Sequence, residues 1–263
     1  MLDEGRLEAA AALLWLHWQE GRRLPALPPM LQPATRAEGY AIQARLEARE
    51  GKPPFGWKIA ATSAAGQSHI GVDGPLAGRI LAGRVFPAGA AVPLRGNAML
   101  VAEPEFVFRM AQDLPPRAMP RTRAEVMAAV GTLHLGIEVP DSRFEDFAAA
   151  GGPQLIADNA CADQFVLGAE APPVWRDLDL ARHVVTARVG DGPVREGIGA
   201  NVLGDPRIAL CWLANELSAQ GVTLAAGQYV TTGTCMVPLP IGRGDAVSAD
   251  FGVLGSVAVR FIA

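Results

Sequence analysis

The sequence predicts an α+β fold built on antiparallel or mixed sheet, with a small helical part at its start. Three observations carry this. Helical patterning fills roughly the first fifty residues and then gives way to short apolar runs bounded by Gly, Pro and Asp. Those runs outnumber the later helices. They also fail to alternate regularly with helices, as a wound parallel sheet would demand. The chain accordingly divides into a helical N-terminal segment, 1–52, and a β-rich domain, 53–263.

The elements follow in order. A first helix covers roughly residues 3 to 21 of "MLDEGRLEAAAALLWLHWQEGRRL". The proline-rich "LPALPPMLQP" breaks it, because proline lacks the backbone donor a helix interior needs. Thr35 and Glu38 have capping-box spacing and start a second helix that ends near Gly51. "KPPFG" is the hinge into a different texture. Beyond it, "GWKIAAT", "RVFPAGAAVPL", "AEPEFVFRM", "LGIEVP", "DQFVLG", "HVVTARVGDGPVREG", "QYVTTGT" and "GSVAVRFIA" read as strands. The "GDG" within the sixth marks a hairpin. Two helices interrupt them. One starts at the Thr122/Glu125 capping box and runs to about residue 131; the other has Asp205 as N-cap, Pro206 at its first position and Gly221 past its end.

Composition narrows the function classes. With 263 residues, half of them hydrophobic, the chain can bury a substantial core as one large domain or one domain with an appended segment. The net charge is −4 and the basic residues are scattered, which argues against nucleic acid or a membrane surface as partner. Cys161, Cys211 and Cys235 are odd in number and far apart, which favours a reducing cytoplasm. The N-terminus opens acidic, and His17 and Glu20 interrupt its apolar run, unlike a signal peptide or a membrane span. No GxGxxG follows a strand and no GxxxxGK[ST] occurs, so no nucleotide site is supported. "DFG" near the C-terminus lacks the other kinase motifs.

The chemistry concentrates in "VAEPEFVF". Residues i and i+2 of a strand share a face, so Glu103 and Glu105 project together while Ala102, Pro104, Phe106 and Phe108 line the other side. Alone, such a pair reads as a solvated strand face, and Pro104 admits an edge strand where that face is wet. Glu138, inside the apolar "HLGIEVP", adds a third acid. Three carboxylates in apolar strands describe an oxygen-only site suited to Mg²⁺ or Mn²⁺. Zinc is disfavoured, since His17, His69, His134 and His183 are isolated. Lys58, between Trp57 and Ile59, reads either as a lysine that reaches to water or as one beside an anionic substrate with a depressed pKa.

These motifs resemble the fumarylacetoacetate hydrolase superfamily, in its branch of 2-keto-4-pentenoate hydratases and related 2-oxo-acid hydratases and decarboxylases of aromatic catabolism. "GWKIAATSAAGQSHIGVDGP" is similar to the family's Gly-x-Lys-Ile-Gly-x-Thr-Ser segment, "AEPEF" to its Glu-x-Glu strand and "GIEVPDSRF" to its Glu-x-x-Asp-Ser-Arg segment. "DNACADQFVLG", "GDPRIALCWLANELSAQGVTLAAGQYVTTGT" and "DFGVLGSVAVRF" extend the likeness in family order. The resemblance implies a mixed β-roll or distorted barrel, with 53–263 as the catalytic domain, assembled as dimers or larger rings. It implies that Glu103, Glu105 and Glu138 ligate Mg²⁺ or Mn²⁺ and that Lys58 lies at the substrate. One departure stands out: where the hydratases often read Pro-Asp-aromatic-Gly, this chain reads Pro75-Leu76-Ala77-Gly78, with Asp73 three residues before Leu76.

The expected reaction is hydration of a 2-hydroxy-2,4-dienoate to a 4-hydroxy-2-oxo acid. Lys58 serves proton transfer or carboxylate binding, and Asn159 and Thr234 either hydrogen-bond substrate oxygens or act as turn residues. The alternative is decarboxylation of a 4-oxalocrotonate-type diacid, which needs no activated water. Hydrolysis of an acylpyruvate ranks lower, with His69 as the sole nearby histidine, as does a silent subunit that assembles with a pathway neighbour. Cys161 reads as a small packing residue.

Overall fold

A computed structural model describes all 263 residues. Helices α1 (Glu4–Glu20) and α2 (Arg36–Glu50) sit where their caps place them. Asp3 accepts from Arg6 N, Thr35 and Glu38 form the reciprocal capping box, and the left-handed Gly21 and Gly51 end the two helices. Leu7, Leu14, Ile42 and Leu46 on their facing sides close an apolar cluster of their own with Leu27 and Phe144.

Strands β1 (Gly56–Ala60) and β2 (Leu76–Ile80) pair antiparallel around the short helix α3 (Ala64–His69). Strands β3 (Val85–Pro87) and β4 (Ala91–Pro93) are two strands in two different sheets, although "RVFPAGAAVPL" reads as one; a turn at the left-handed Gly89 separates them. Next come β5 (Val101–Met110), α4 (Arg123–Ala128) and β6 (Val130–Val139). Helix α4 stops short of residue 131 because Val130 already pairs with Met110. Then follow α5 (Gly152–Ala157), β7 (Gln164–Glu170), the hairpin β8 (Val184–Val189) and β9 (Arg195–Ile198), and α6 (Pro206–Ala219). Strands β10 (Tyr229–Thr234), β11 (Leu239–Pro240), β12 (Ala246–Asp250) and β13 (Ser256–Ile262) complete the chain.

Eight strands form one curled mixed sheet in the order β2-β1-β10-β5-β6-β7-β3, with β11 beside β5. Only β1–β10 and β3–β7 are parallel within it. A second sheet runs β4-β13-β12-β8-β9. The alternation of β5 and β6 turns Phe106, Phe108, Leu133, Leu135 and Ile137 toward the second sheet, where they share the main core with Phe251, Val257 and Val259. Phe106 meets Phe251 edge to face at 5.2 Å. Burying each such side chain contributes about 1.5–3 kcal/mol, which fixes the register and so fixes which residues face the other way.

Strand β5 is not an edge. It lies between β10 and β6. Pro104 is accommodated there because β10 carries an extra residue between Thr231 and Thr234. The Pro104 carbonyl accepts from Cys235 N at 3.3 Å, so its ring nitrogen faces the irregular stretch, where no ladder donor is required. No helix is long and apolar enough to cross a membrane.

Candidate active site

The face of β5 and β6 turned away from the main core holds the acids. Glu103 stands directly opposite Glu138 across the ladder, and Glu105 follows two residues along. One carboxylate oxygen from each lies within 4.8 Å of the others. Glu105 and Glu138 are buried, and Glu103 borders a cavity of about 690 Å³. Lys58 reaches the same face by direct pairing, Lys58 with Thr231 and Thr231 with Val107. Its Nζ lies 2.9 Å from Glu138 Oε1 and donates to the Ala160 carbonyl at 2.9 Å. Its stem crosses Gly78, where a Cβ would come within 3.0 Å of Lys58 Cγ and Cδ and 2.5 Å of the Asn159 carbonyl.

The site holds more acid than base. Burial pushes the Glu103 carboxyl up to about 7, helped by the Glu138 charge. Burial raises Glu105 well above the carboxylate range, and Glu138 and Glu103 add to it. Burial also raises Glu138, against the opposing pull of Lys58. For Lys58, burial disfavours the charge, but Glu138 and Glu103 outweigh it and hold the ammonium above its ordinary value. The depressed pKa expected of a proton-exchanging lysine is therefore corrected: the same acids that make the site keep its lysine charged.

Only part of this excess is satisfied by the protein. Thr231 Oγ1 and Gly233 N donate to Glu105 Oε2, the latter at 2.6 Å. The β10 bulge makes this possible. Gly233 adopts φ 103°, and a Cβ there would lie 2.2 Å from Thr62 Oγ1. Glu105 Oε1 and Glu138 Oε2 find no hydrogen-bond partner, and Glu138 Oε1 has only the Lys58 charge. Buried carboxylate oxygens left bare are costly, and hard divalent cations are the ligands that accept several of them at once. The donor set is all oxygen, so the residues present fit Mg²⁺ or Mn²⁺ and not a zinc site.

The remaining expected residues divide. Thr234 borders the cavity, with its hydroxyl donating to the Met236 carbonyl at 3.0 Å. Asn159 does not border it, and its expected substrate contact is corrected. Its amide accepts from Arg79 N at 2.7 Å and donates to Arg79 O at 2.8 Å, so both ends are committed to the backbone. Asn159, Ala160 and Cys161 form a left-handed turn, with φ 57°, 51° and 60°, of a kind that costs non-glycine residues of order 1–3 kcal/mol each. That turn aims the Ala160 carbonyl at Lys58. Leu76 is fully buried in the main core, and Asp73 faces solvent with 95% of its side chain exposed, so neither supplies an acid to the cavity. Cys161 borders the cavity, its thiol pushed up to about 12 by burial and by Asp158. Of the histidines, only His69 is at the cavity, edge-on to Phe147. Sequence reasoning missed Thr231, Gly233 and the Arg143–Asp158 pair behind the turn. A usable signal for Lys58 was rarity: the chain holds 21 arginines and only two lysines, Lys52 and Lys58.

Fold and site together define an enzyme class: a curled sheet presenting an all-oxygen acid cluster that could hold a cation, and a buried lysine, at one cavity. Comparison with known proteins makes this particular. No protein-family model matches the chain. It is 31% identical over 264 residues to the 2-keto-4-pentenoate hydratase of Burkholderia vietnamiensis, covering 99% of each chain. It is 30% identical over 233 residues to the 4-oxalocrotonate decarboxylase of a Pseudomonas species, covering 87% of this chain and 86% of that one. Among solved structures, it matches the 4-oxalocrotonate decarboxylase from Pseudomonas putida complexed with magnesium and adipate, with a TM-score of 0.90 and 27% identity over 100% of this chain and 99% of that one. The chain belongs to the fumarylacetoacetate hydrolase superfamily, among its 2-keto-4-pentenoate hydratases and 4-oxalocrotonate decarboxylases.

Proposed function

We propose that this protein is a Mg²⁺- or Mn²⁺-dependent lyase that adds water to a 2-hydroxy-2,4-dienoate and releases a 4-hydroxy-2-oxo acid. The observation that carries the proposal is the convergence of Glu103, Glu105 and Glu138, with bare oxygens, beside a charged lysine on one cavity wall. The hydratases among the relatives supply the reaction class.

In this reading Glu103, Glu105 and Glu138 would hold the cation, which would supply Lewis-acid polarisation of the 2-oxo acid when bound. Lys58, with its Nζ beside Glu138 on the same cavity wall, donates a hydrogen bond to the substrate anion. Ketonisation of the dienol moves its hydroxyl proton into the carbon chain and leaves a conjugated enone. Water then adds its oxygen at C4 and a proton at C3, so the net change is one water gained. Thr231 and Gly233 N fix Glu105, and the left-handed turn at Ala160 fixes Lys58. Apolar walls such as Val101 and Met236 keep bulk water from the enolate.

The buried Leu76 favours a second reading, loss of CO₂ from a 4-oxalocrotonate-type diacid, because that route needs no group to activate water. The test is turnover of 2-hydroxypenta-2,4-dienoate with Mg²⁺, with EDTA and with Glu103→Ala. Hydration abolished by EDTA, restored by Mg²⁺ or Mn²⁺ and lost in the variant is expected. Hydration indifferent to all three overturns the proposal, and CO₂ release from the diacid faster than hydration selects the second reading. A homo-oligomer, alone or with a pathway neighbour, and a cytoplasmic location complete the proposal; light scattering reads the first.

A further inference from the structure

The cavity is far larger than a five-carbon substrate requires, and its charge is all at one end. Beyond the acid end its walls come from Ile70, Met99, Phe147 and Val237. Lys58 is the sole lysine or arginine that borders it, and that ammonium is already paired with Glu138. The other bordering polar side chains, Ser63, Asn201 and Thr234, carry no charge. His69 is exposed at the mouth against Phe147. A substrate chelated at its 2-oxo-acid end therefore extends its tail along apolar surface with no fixed cation to meet a second carboxylate.

We infer that this cavity selects a 2-oxo acid with an apolar tail of several carbons and discriminates against one with a distal carboxylate. This rests on the reading of the acid cluster as the 2-oxo-acid anchor. Burying apolar tail strengthens binding by about fourfold per fully buried methylene. Burying a carboxylate without a partner weakens it.

The test is calorimetric binding, in Mg²⁺, of saturated 2-oxo acids that do not turn over. 2-Oxooctanoate should bind at least about tenfold more tightly than 2-oxopentanoate. 2-Oxoadipate should bind about tenfold or more weakly than 2-oxohexanoate. Ile70→Arg and the solvent-facing Val237→Arg each place a cation at the apolar wall and should improve 2-oxoadipate binding. Equal affinities along the tail series, or 2-oxoadipate binding as tightly as its monoacid, overturns the inference while leaving the anchor intact. Tight 2-oxoadipate binding that His69→Gln removes overturns it too, and names the imidazole as the missing cation. If no 2-oxo acid binds at all, the anchor reading itself fails and the tail preference falls with it.

Discussion

Two clusters of buried charge lie a few residues apart in this fold, and they are built on opposite principles. At Arg143–Asp158 one guanidinium meets one carboxylate. Asp158 accepts from Ser142 Oγ at 2.7 Å, from Arg143 N at 3.0 Å and from Arg143 Nε, while Arg143 also donates to the carbonyls of Ala162 and Asp158. Neither Arg143 nor Asp158 has a bare buried polar atom. At Glu103–Glu105–Glu138, three carboxylates share one ammonium and several oxygens are bare. A balanced, saturated pair holds the chain; an unbalanced, unsaturated cluster is stable only if something outside the chain completes it. Burial alone does not distinguish scaffold from site. The donor and acceptor balance does.

The sharpest way to break this distinction is to cut each cluster. Arg143→Ala strands the Asp158 carboxylate in the interior and should cost about 3–5 kcal/mol, enough to leave much of the protein unfolded in a urea titration. Glu103→Gln should do the reverse. It removes one of three like charges, so in metal-free buffer its thermal midpoint should equal or exceed the parent's, while activity in Mg²⁺ falls by about a thousandfold. A Glu103→Gln protein that unfolds early would erase the contrast, as would an Arg143→Ala protein of normal stability.

The same contrast explains what was legible in the sequence. Glu103, Glu105 and Glu138 announce themselves because acids interrupt apolar strands, and Thr35, Thr122 and Asp205 because caps are local chemistry. The fold class followed from where helical and strand periodicities change. What escaped is non-local or brief. Strand β2 is buried throughout its five residues and shows no alternation, and α3 and α5 have six residues each, too few for periodicity. Strand β12 is short and built of small residues. Pro104 left an edge strand open because the bulge that accommodates it belongs to another strand more than 120 residues away. Asn159 looked like a substrate ligand because its partner, the Arg79 backbone, is invisible in its own segment.

A smaller effect follows from protonation. The Glu103 carboxyl titrates near 7 in the folded protein against an ordinary 4.5, so the folded state holds a proton that the unfolded state has released. Its contribution to stability is present below about 4.5 and is lost as pH rises through about 7. In metal-free buffer the thermal midpoint of the parent should therefore fall between pH 5 and 8 more steeply than that of Glu103→Gln. Mg²⁺ competes with those protons, so its affinity should climb over the same window and its binding should release protons into a weak buffer. Parallel pH curves for parent and variant would show that the acids are neutralised by the chain itself, and the two clusters would then be alike.

The finest distinction concerns support. Glu105 is steadied by two donors on one oxygen, Thr231 Oγ1 and Gly233 N, whereas Asp158 is gripped on both oxygens, by Ser142 Oγ and Arg143 N on one and by Arg143 Nε on the other. Thr231→Val keeps the shape of the side chain and deletes one donor. At a saturated structural pair such a loss would register mainly as stability; here it should register mainly as affinity. The hydrogen bond is worth only about 0.5–1.5 kcal/mol to the fold. It also fixes the carboxylate of a candidate ligand, and removing such an orienting contact lowers metal affinity by roughly tenfold or more. Titrating activity with Mg²⁺ should show a right-shifted curve that reaches nearly the parental plateau. A lowered plateau at unchanged Mg²⁺ affinity would place Thr231 in the chemistry rather than behind it. No change in either would mean that the Gly233 amide alone positions Glu105, and that the bulge, not the hydroxyl, is what the β10 strand contributes to the site.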